Sequence, residues 1–146
     1  MAILRGSAIL LASLPLAAAA AAPTGVVEVR IEKLRNLRGE VHLCLTADAK
    51  AFPDCKKDPR AFVRTLPAGQ AAIVRFDGVA PGEYAVALFH DENSNKKLDT
   101  FLAIPREGFG FSRNPPVRFG PPTFGQARFA VGAGIARLTV RMQYVL

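Results

Sequence analysis

The chain has 146 residues, half of them hydrophobic, with 19 basic against 12 acidic side chains and a net charge of +7. That length bounds it to one domain with one real core. Arginines such as Arg30, Arg64, Arg75, Arg137 and Arg141 are spread singly and form no dense cluster, which argues against a nucleic-acid surface.

The chain opens with Arg5, an apolar run from Ile9 to Leu16 broken only by Ser13 and Pro15, and an alanine tract from Ala17 to Ala22. A positive start, a short apolar centre and small residues at the cut make residues 1–22 a secretory signal peptide, cleaved after Ala20, Ala21 or Ala22. The apolar run is too short for a spanning helix, which needs about 20 apolar residues. No cysteine stands at the cut, so a lipoprotein anchor is not expected. Residues 23–146 then form one domain, periplasmic or secreted, with no transmembrane span after cleavage.

Beyond the leader the hydrophobic period is two. Val27, Val29 and Ile31 alternate with Glu28, Arg30 and Glu32; Val41, Leu43 and Leu45 alternate with His42, Cys44 and Thr46. Ala72, Val74 and Phe76 follow the same rule less cleanly, and Ala136, Leu138, Val140, Met142 and Tyr144 follow it best. Turns punctuate these runs at Asn36 to Gly39, Pro67-Ala68-Gly69, Asp77 to Gly82 and Gly132-Ala133-Gly134. The pattern predicts an all-β fold: a single antiparallel β-sandwich of about seven strands, transthyretin- or immunoglobulin-like. Residues 47–61 have room for a short helical turn, but Pro53 and Pro59 forbid a long helix.

Two cysteines, Cys44 and Cys55, form an even, closely spaced pair, and in an oxidising compartment they are expected to be joined. From Asp91 to Gly125 alternation stops, yet this stretch holds Phe101, Phe109, Phe111, Phe119 and Phe124, half of the ten phenylalanines. So many aromatics predict a long ordered loop packed on the sandwich, not a disordered segment.

The chemistry-bearing string is His90 to Asp99. Asp91, Asn93, Asn95 and Asp99 have the spacing of a calcium loop, with the Lys97 carbonyl as a further donor and Glu107 as a distant one. Lys96 stands where such loops want glycine, and Leu102 stands where a bidentate glutamate would. The competing reading is a plain Asp/Asn turn bonded to its own backbone.

His90-Asp91-Glu92-Asn93 with Asn95, Leu98 and Asp99, then Ile104-Pro105-Arg106-Glu107-Gly108-Phe109-Gly110-Phe111-Ser112, resembles a family of small exported bacterial proteins, domain-of-unknown-function family 2141. Pro81-Gly82-Glu83-Tyr84-Ala85-Val86 is similar to that family too. The family's patterns read N-G-N-G where this chain has Asn93-Ser94-Asn95-Lys96, a departure that weighs against metal binding. The resemblance implies export and a β fold; it implies no mechanism.

These observations favour a non-catalytic binding or structural module whose function lies in the 91–125 loop. Calcium is the one cofactor considered, and His90, Phe109, Phe111 and Ser112 are the candidate binding-loop residues. An unidentified protein or glycan is the expected partner. Two rivals are a small metal-dependent or acid–base hydrolase using His90, Asp91, Asp99 and Glu107, and a sugar- or polymer-binding module using the loop phenylalanines. No nucleophile elbow, H-E-x-x-H or glycine-rich phosphate loop supports catalysis.

Overall fold

The computed structural model describes residues 18–146, so residues 1–17 of the expected signal peptide lie outside the described residues. Strand β1 (Gly25–Glu32) buries Val27, Val29 and Ile31 and turns Glu28, Arg30 and Glu32 outward. It is flanked by β4 (Ile73–Val79) and β10 (Ile135–Arg141) in a three-stranded sheet of order β10-β1-β4. On the wet face Glu28 lies 3.7 Å from Arg75 and 3.4 Å from Arg137, its register partners on the two neighbouring strands. Arg75 and Arg137 thus serve cross-strand pairing. Each exposed pair contributes at most about 1 kcal/mol, but together they favour one register.

The facing sheet has the order β3-β2-β5-β8, from β3 (Phe62–Pro67), β2 (Glu40–Thr46), β5 (Gly82–Asp91) and β8 (Gly108–Phe111). β9 (Phe129–Val131) pairs with the start of β5 along the same edge that β8 takes further on. Between the sheets Val29, Leu43, Leu45, Phe76, Val86 and Val140 form the main core. β6 (Thr100–Phe101) and β7 (Ile104–Pro105) make a separate two-stranded hairpin. Among the described residues no helix is long and apolar enough to cross a membrane.

The all-β expectation holds, with two corrections. β10 runs parallel to β1, while the other paired strands are antiparallel. The Gly132–Gly134 turn carries the chain from β9, which pairs with β5, to β10 in the other sheet instead of closing a hairpin. Ten strands are present among the described residues instead of about seven, because β6, β7 and β8 lie in the stretch read as loop. Residues 47–61 hold short helical turns and no long helix, with the Phe52 N–H donating to the Asp48 carbonyl and Cys55 to Ala51.

β5 is buried on both faces. Its outer face meets a second apolar layer in which Ala85, Ala87, Phe109, Phe111 and Ala127 are buried, with Phe52 and Phe124 packed against them. Phe101 and Phe119 do not join that layer: they are 57% and 100% exposed. Their neighbours explain this, since Phe101 sits on the β6–β7 hairpin and Phe119 beside Gly120-Pro121-Pro122.

Cys44, on the outer face of β2, is bonded to Cys55, with their Cα atoms 6.0 Å apart. The bond fastens the 47–61 segment over the second layer. On the chain-entropy account a loop this short is worth about 3 kcal/mol. Reduction should lower urea-measured stability by about that amount, and a loss under about 1 kcal/mol would mean the segment is held without it.

Candidate functional site

At the end of β5 the pleat sends His90 and Asp91 to opposite sides of the sheet. His90 is fully buried, with Nε2 2.7 Å from the Arg38 carbonyl and Nδ1 2.9 Å from the Tyr144 hydroxyl. A carbonyl only accepts, so the network places the proton on Nε2 and lets Tyr144 donate to Nδ1. The tyrosine oxygen accepts the Arg35 N–H at 3.2 Å, and burial pushes the Tyr144 hydroxyl pKa above its ordinary value. Both ring nitrogens of His90 are spent on holding the 35–38 turn to the C-terminal segment.

Asp91, also fully buried, accepts the Asn95 N–H on Oδ1 at 3.0 Å and the Lys96 N–H on Oδ2 at 2.7 Å. Glu107, buried as well, accepts the Glu92 N–H on Oε1 and the Asp99 N–H on Oε2, each at 2.9 Å. One carboxylate therefore clamps both ends of the 92–99 loop. Outside the clamp, Glu92 receives Arg35 Nε and Asn36 Nδ2, each at 2.7 Å, and Arg38 at 3.3 Å. Burial would raise its pKa, but the bonds from Asn36 and Arg35 outweigh that and hold it below the usual carboxylate range.

The loop itself is a ladder of Asp/Asn turns. The Asn93 side-chain oxygen accepts the Asn95 N–H, and that of Asn95 accepts the Lys97 N–H. These bonds fix the amide orientations, so both side-chain nitrogens face Asp99, at 2.7 Å from Asn93 and 2.9 Å from Asn95. Those two bonds, Asn95 first, lower the Asp99 pKa. Ser94 and Lys96 take left-handed φ values of 57° and 64°, at the two positions where the resembled family has glycine. Asp91, Asn93, Asn95, Asp99 and Glu107 are thus brought together, while Lys97 contributes its N–H. A calcium ion would have to displace amide donors already satisfying Asp99. About 10 mM calcium, well above the weakest site expected of extracellular modules, should therefore leave the melting temperature unchanged. A rise abolished in Asp91→Ala and Asp99→Ala would establish a calcium site instead.

The four residues of the hydrolase alternative do not converge: His90 faces Tyr144, Asp91 and Glu107 face the loop backbone, and Asp99 faces the Asn93 and Asn95 amides. Ser112 is fully buried, donating to the Ala127 carbonyl at 2.6 Å and accepting the Val86 N–H at 2.9 Å. His90, Phe109, Phe111 and Ser112, read from sequence as a candidate binding loop, are all interior. They are the floor on which the exposed loop rests.

Sequence reasoning missed the surface above that floor. An open cleft of about 710 Å³ lies between Arg35, Arg38 and Arg106 on one hand and Glu92, Asp99 and Glu107 on the other. Arg35 is drawn across it, donating to the Leu146 and Arg106 carbonyls at 2.8 and 3.0 Å, with its guanidinium 4.6 Å from the Tyr144 ring centre. Beside it the β6–β7 hairpin exposes Phe101, Ile104 and Leu102, the last at 81%. The one available signal was the charge of the Arg35-Asn36-Leu37-Arg38 turn.

The family model for "Uncharacterized protein conserved in bacteria (DUF2141)" matches residues 29–138, from within β1 to within β10. No curated protein and no solved structure matches the chain.

Proposed function

The chain belongs to the DUF2141 family of uncharacterised bacterial proteins, and on that premise we propose that it is an exported, non-catalytic binding module that presents the 92–107 loop to a protein partner. The carrying observation is that His90, Asp91 and Glu107, the best acid–base groups, are buried and committed to hydrogen bonds that hold the loop in place. A catalyst needs such groups within reach of a substrate.

The loop tip supports the same reading. Leu102 and Ala103 form the turn between β6 and β7 with φ values of 48° and 64°. A left-handed conformation costs a side-chain-bearing residue about 1–2 kcal/mol, and glycine is the usual occupant. An apolar residue held strained and exposed fits a contact point. Lys96, Lys97 and Arg106 flank it, so a partner with an apolar pocket and an acidic rim would complement it. The Cys44–Cys55 bond is compatible with work outside the cytoplasm.

Photo-crosslinking in cells tests this. A benzophenone side chain at position 102 should give a reproducible adduct, and one at exposed Val63 on β3 should not. Equal labelling at both positions, none at 102, or turnover of ester, glycoside or phosphate substrates that is lost in Glu107→Gln would overturn the proposal.

A further inference from the structure

We propose that Glu40, His42 and Asp91 form a site for one divalent transition metal of the zinc type. The three side chains come together through sheet register. Glu40 and His42 are two apart on β2 and share its outer face, and Glu40 is the direct partner of Asp91 across the β2–β5 ladder. One donor atom from each lies within 4.8 Å of the others.

The distances suit an ion better than a direct bond. His42 Nε2 is 3.2 Å from Asp91 Oδ2 and 3.5 Å from Glu40 Oε2. Charge-assisted N–H···O bonds run at about 2.7–2.9 Å, so both contacts are longer than such a bond. Zinc bonds of about 2.0–2.2 Å at the tetrahedral angle place neighbouring donors about 3.3–3.6 Å apart. The two distances from the His42 ring nitrogen, 3.2 and 3.5 Å, lie at or just below that spacing.

Two of the donors are already oriented by a second layer of contacts. His42 Nδ1 is 3.0 Å from Thr65 Oγ1, and its ring stacks on Phe89 at 4.7 Å and 8°. A metal-binding histidine ordinarily spends its other nitrogen in this way, which leaves Nε2 to the ion. Asp91 is fixed by the Asn95 and Lys96 N–H groups. Glu40 is partly exposed and closes the set, and water would take the fourth position. Imidazole with two carboxylates suits zinc, manganese or iron(II), whereas calcium prefers six to eight oxygens. The ion would lock β2 to the foot of the 92–99 loop. This inference does not depend on the binding-module reading; crosslinking at position 102 and metal binding can fail separately.

The chain has two histidines, and His90 is enclosed with both nitrogens bonded, so His42 is the one imidazole open to a metal. Untagged protein titrated with zinc should bind one equivalent. At a hundredfold excess over the dissociation constant its melting temperature should rise by about 10 °C. In wild-type protein the His42 ring resonances should shift on zinc addition while those of His90 stay put. His42→Gln should abolish binding, and Thr65→Val should weaken it about tenfold or more. Absence of saturable binding, unmoved His42 resonances, or full affinity in His42→Gln would overturn the proposal; the resonance test holds even if a variant misfolds.

Discussion

Gly39→Ala should destabilise the protein by about 3 kcal/mol, measured by urea unfolding. Gly39 has a φ of +66°, and a Cβ there would overlap the backbone carbonyl oxygen of Asp91. The left-handed conformation alone costs alanine about 1–2 kcal/mol. The overlap adds to this, because the neighbour is main chain, held by the pairing of Glu40 with Asp91 in the β2–β5 ladder. Moving it would also disturb the Gly39 carbonyl, which accepts the Ala68 N–H at 3.0 Å. Overpacking of this kind costs about 1–3 kcal/mol. Gly69→Ala is the control: a Cβ there meets nothing within 4 Å, and the change should stay within about 0.5 kcal/mol. A Gly39→Ala loss as small as the control's would mean that the 36–39 turn is not wedged against β5.

Glu107→Ala should cost about 2–4 kcal/mol, and the loss should appear in the loop before it reaches the sandwich. Its two oxygens accept the Glu92 and Asp99 N–H groups. Without them two partly buried donors lose their acceptors at about 1–3 kcal/mol each, less where water can enter. Glu107→Gln keeps one carbonyl oxygen and should lose about half as much. Hydrogen exchange is the decisive measurement. The amides of Glu92, Asn95, Lys96 and Asp99 should exchange faster in the alanine variant, while those of β1 and β2 stay protected as long as the sheets are folded. Unchanged exchange at Asp99 would show that the loop stands without the clamp.

The strands with one wet face were the legible part of the fold. In β1 and β2 each buried valine or leucine has a polar or exposed neighbour, and that contrast is what periodicity detects. β8 has no such contrast, because Gly108-Phe109-Gly110-Phe111 is covered on both sides. Its alternation is of size: a Cβ at Gly108 would strike the Tyr144 ring and one at Gly110 would approach Val140, while Phe109 and Phe111 fill the outer layer. Strand direction was invisible, since a period of two reads the same for parallel and antiparallel neighbours. In the site, Asp91 stood out as the first acid of the Asp/Asn string and Glu107 as a distant donor, but their work is done on backbone N–H groups that sequence does not reveal. Glu40 and His42 lie about fifty positions from Asp91, and only the strand register brings them to it.

The parallel pairing of β1 with β10 has a consequence for how the chain reaches its folded state. Val26 and Ile135 are register partners 109 positions apart, and β1 is the middle strand of its sheet. A ribosome delivers β1 first and β10 last, so for nearly the whole of synthesis the middle strand lacks one neighbour and the core lacks Val140. Closing so large a loop is slow, and apolar faces stay open while it happens. For a cytoplasmic enzyme that delay would be an aggregation hazard. On the proposed export route, late closure would keep the polypeptide extended until its last strand has crossed.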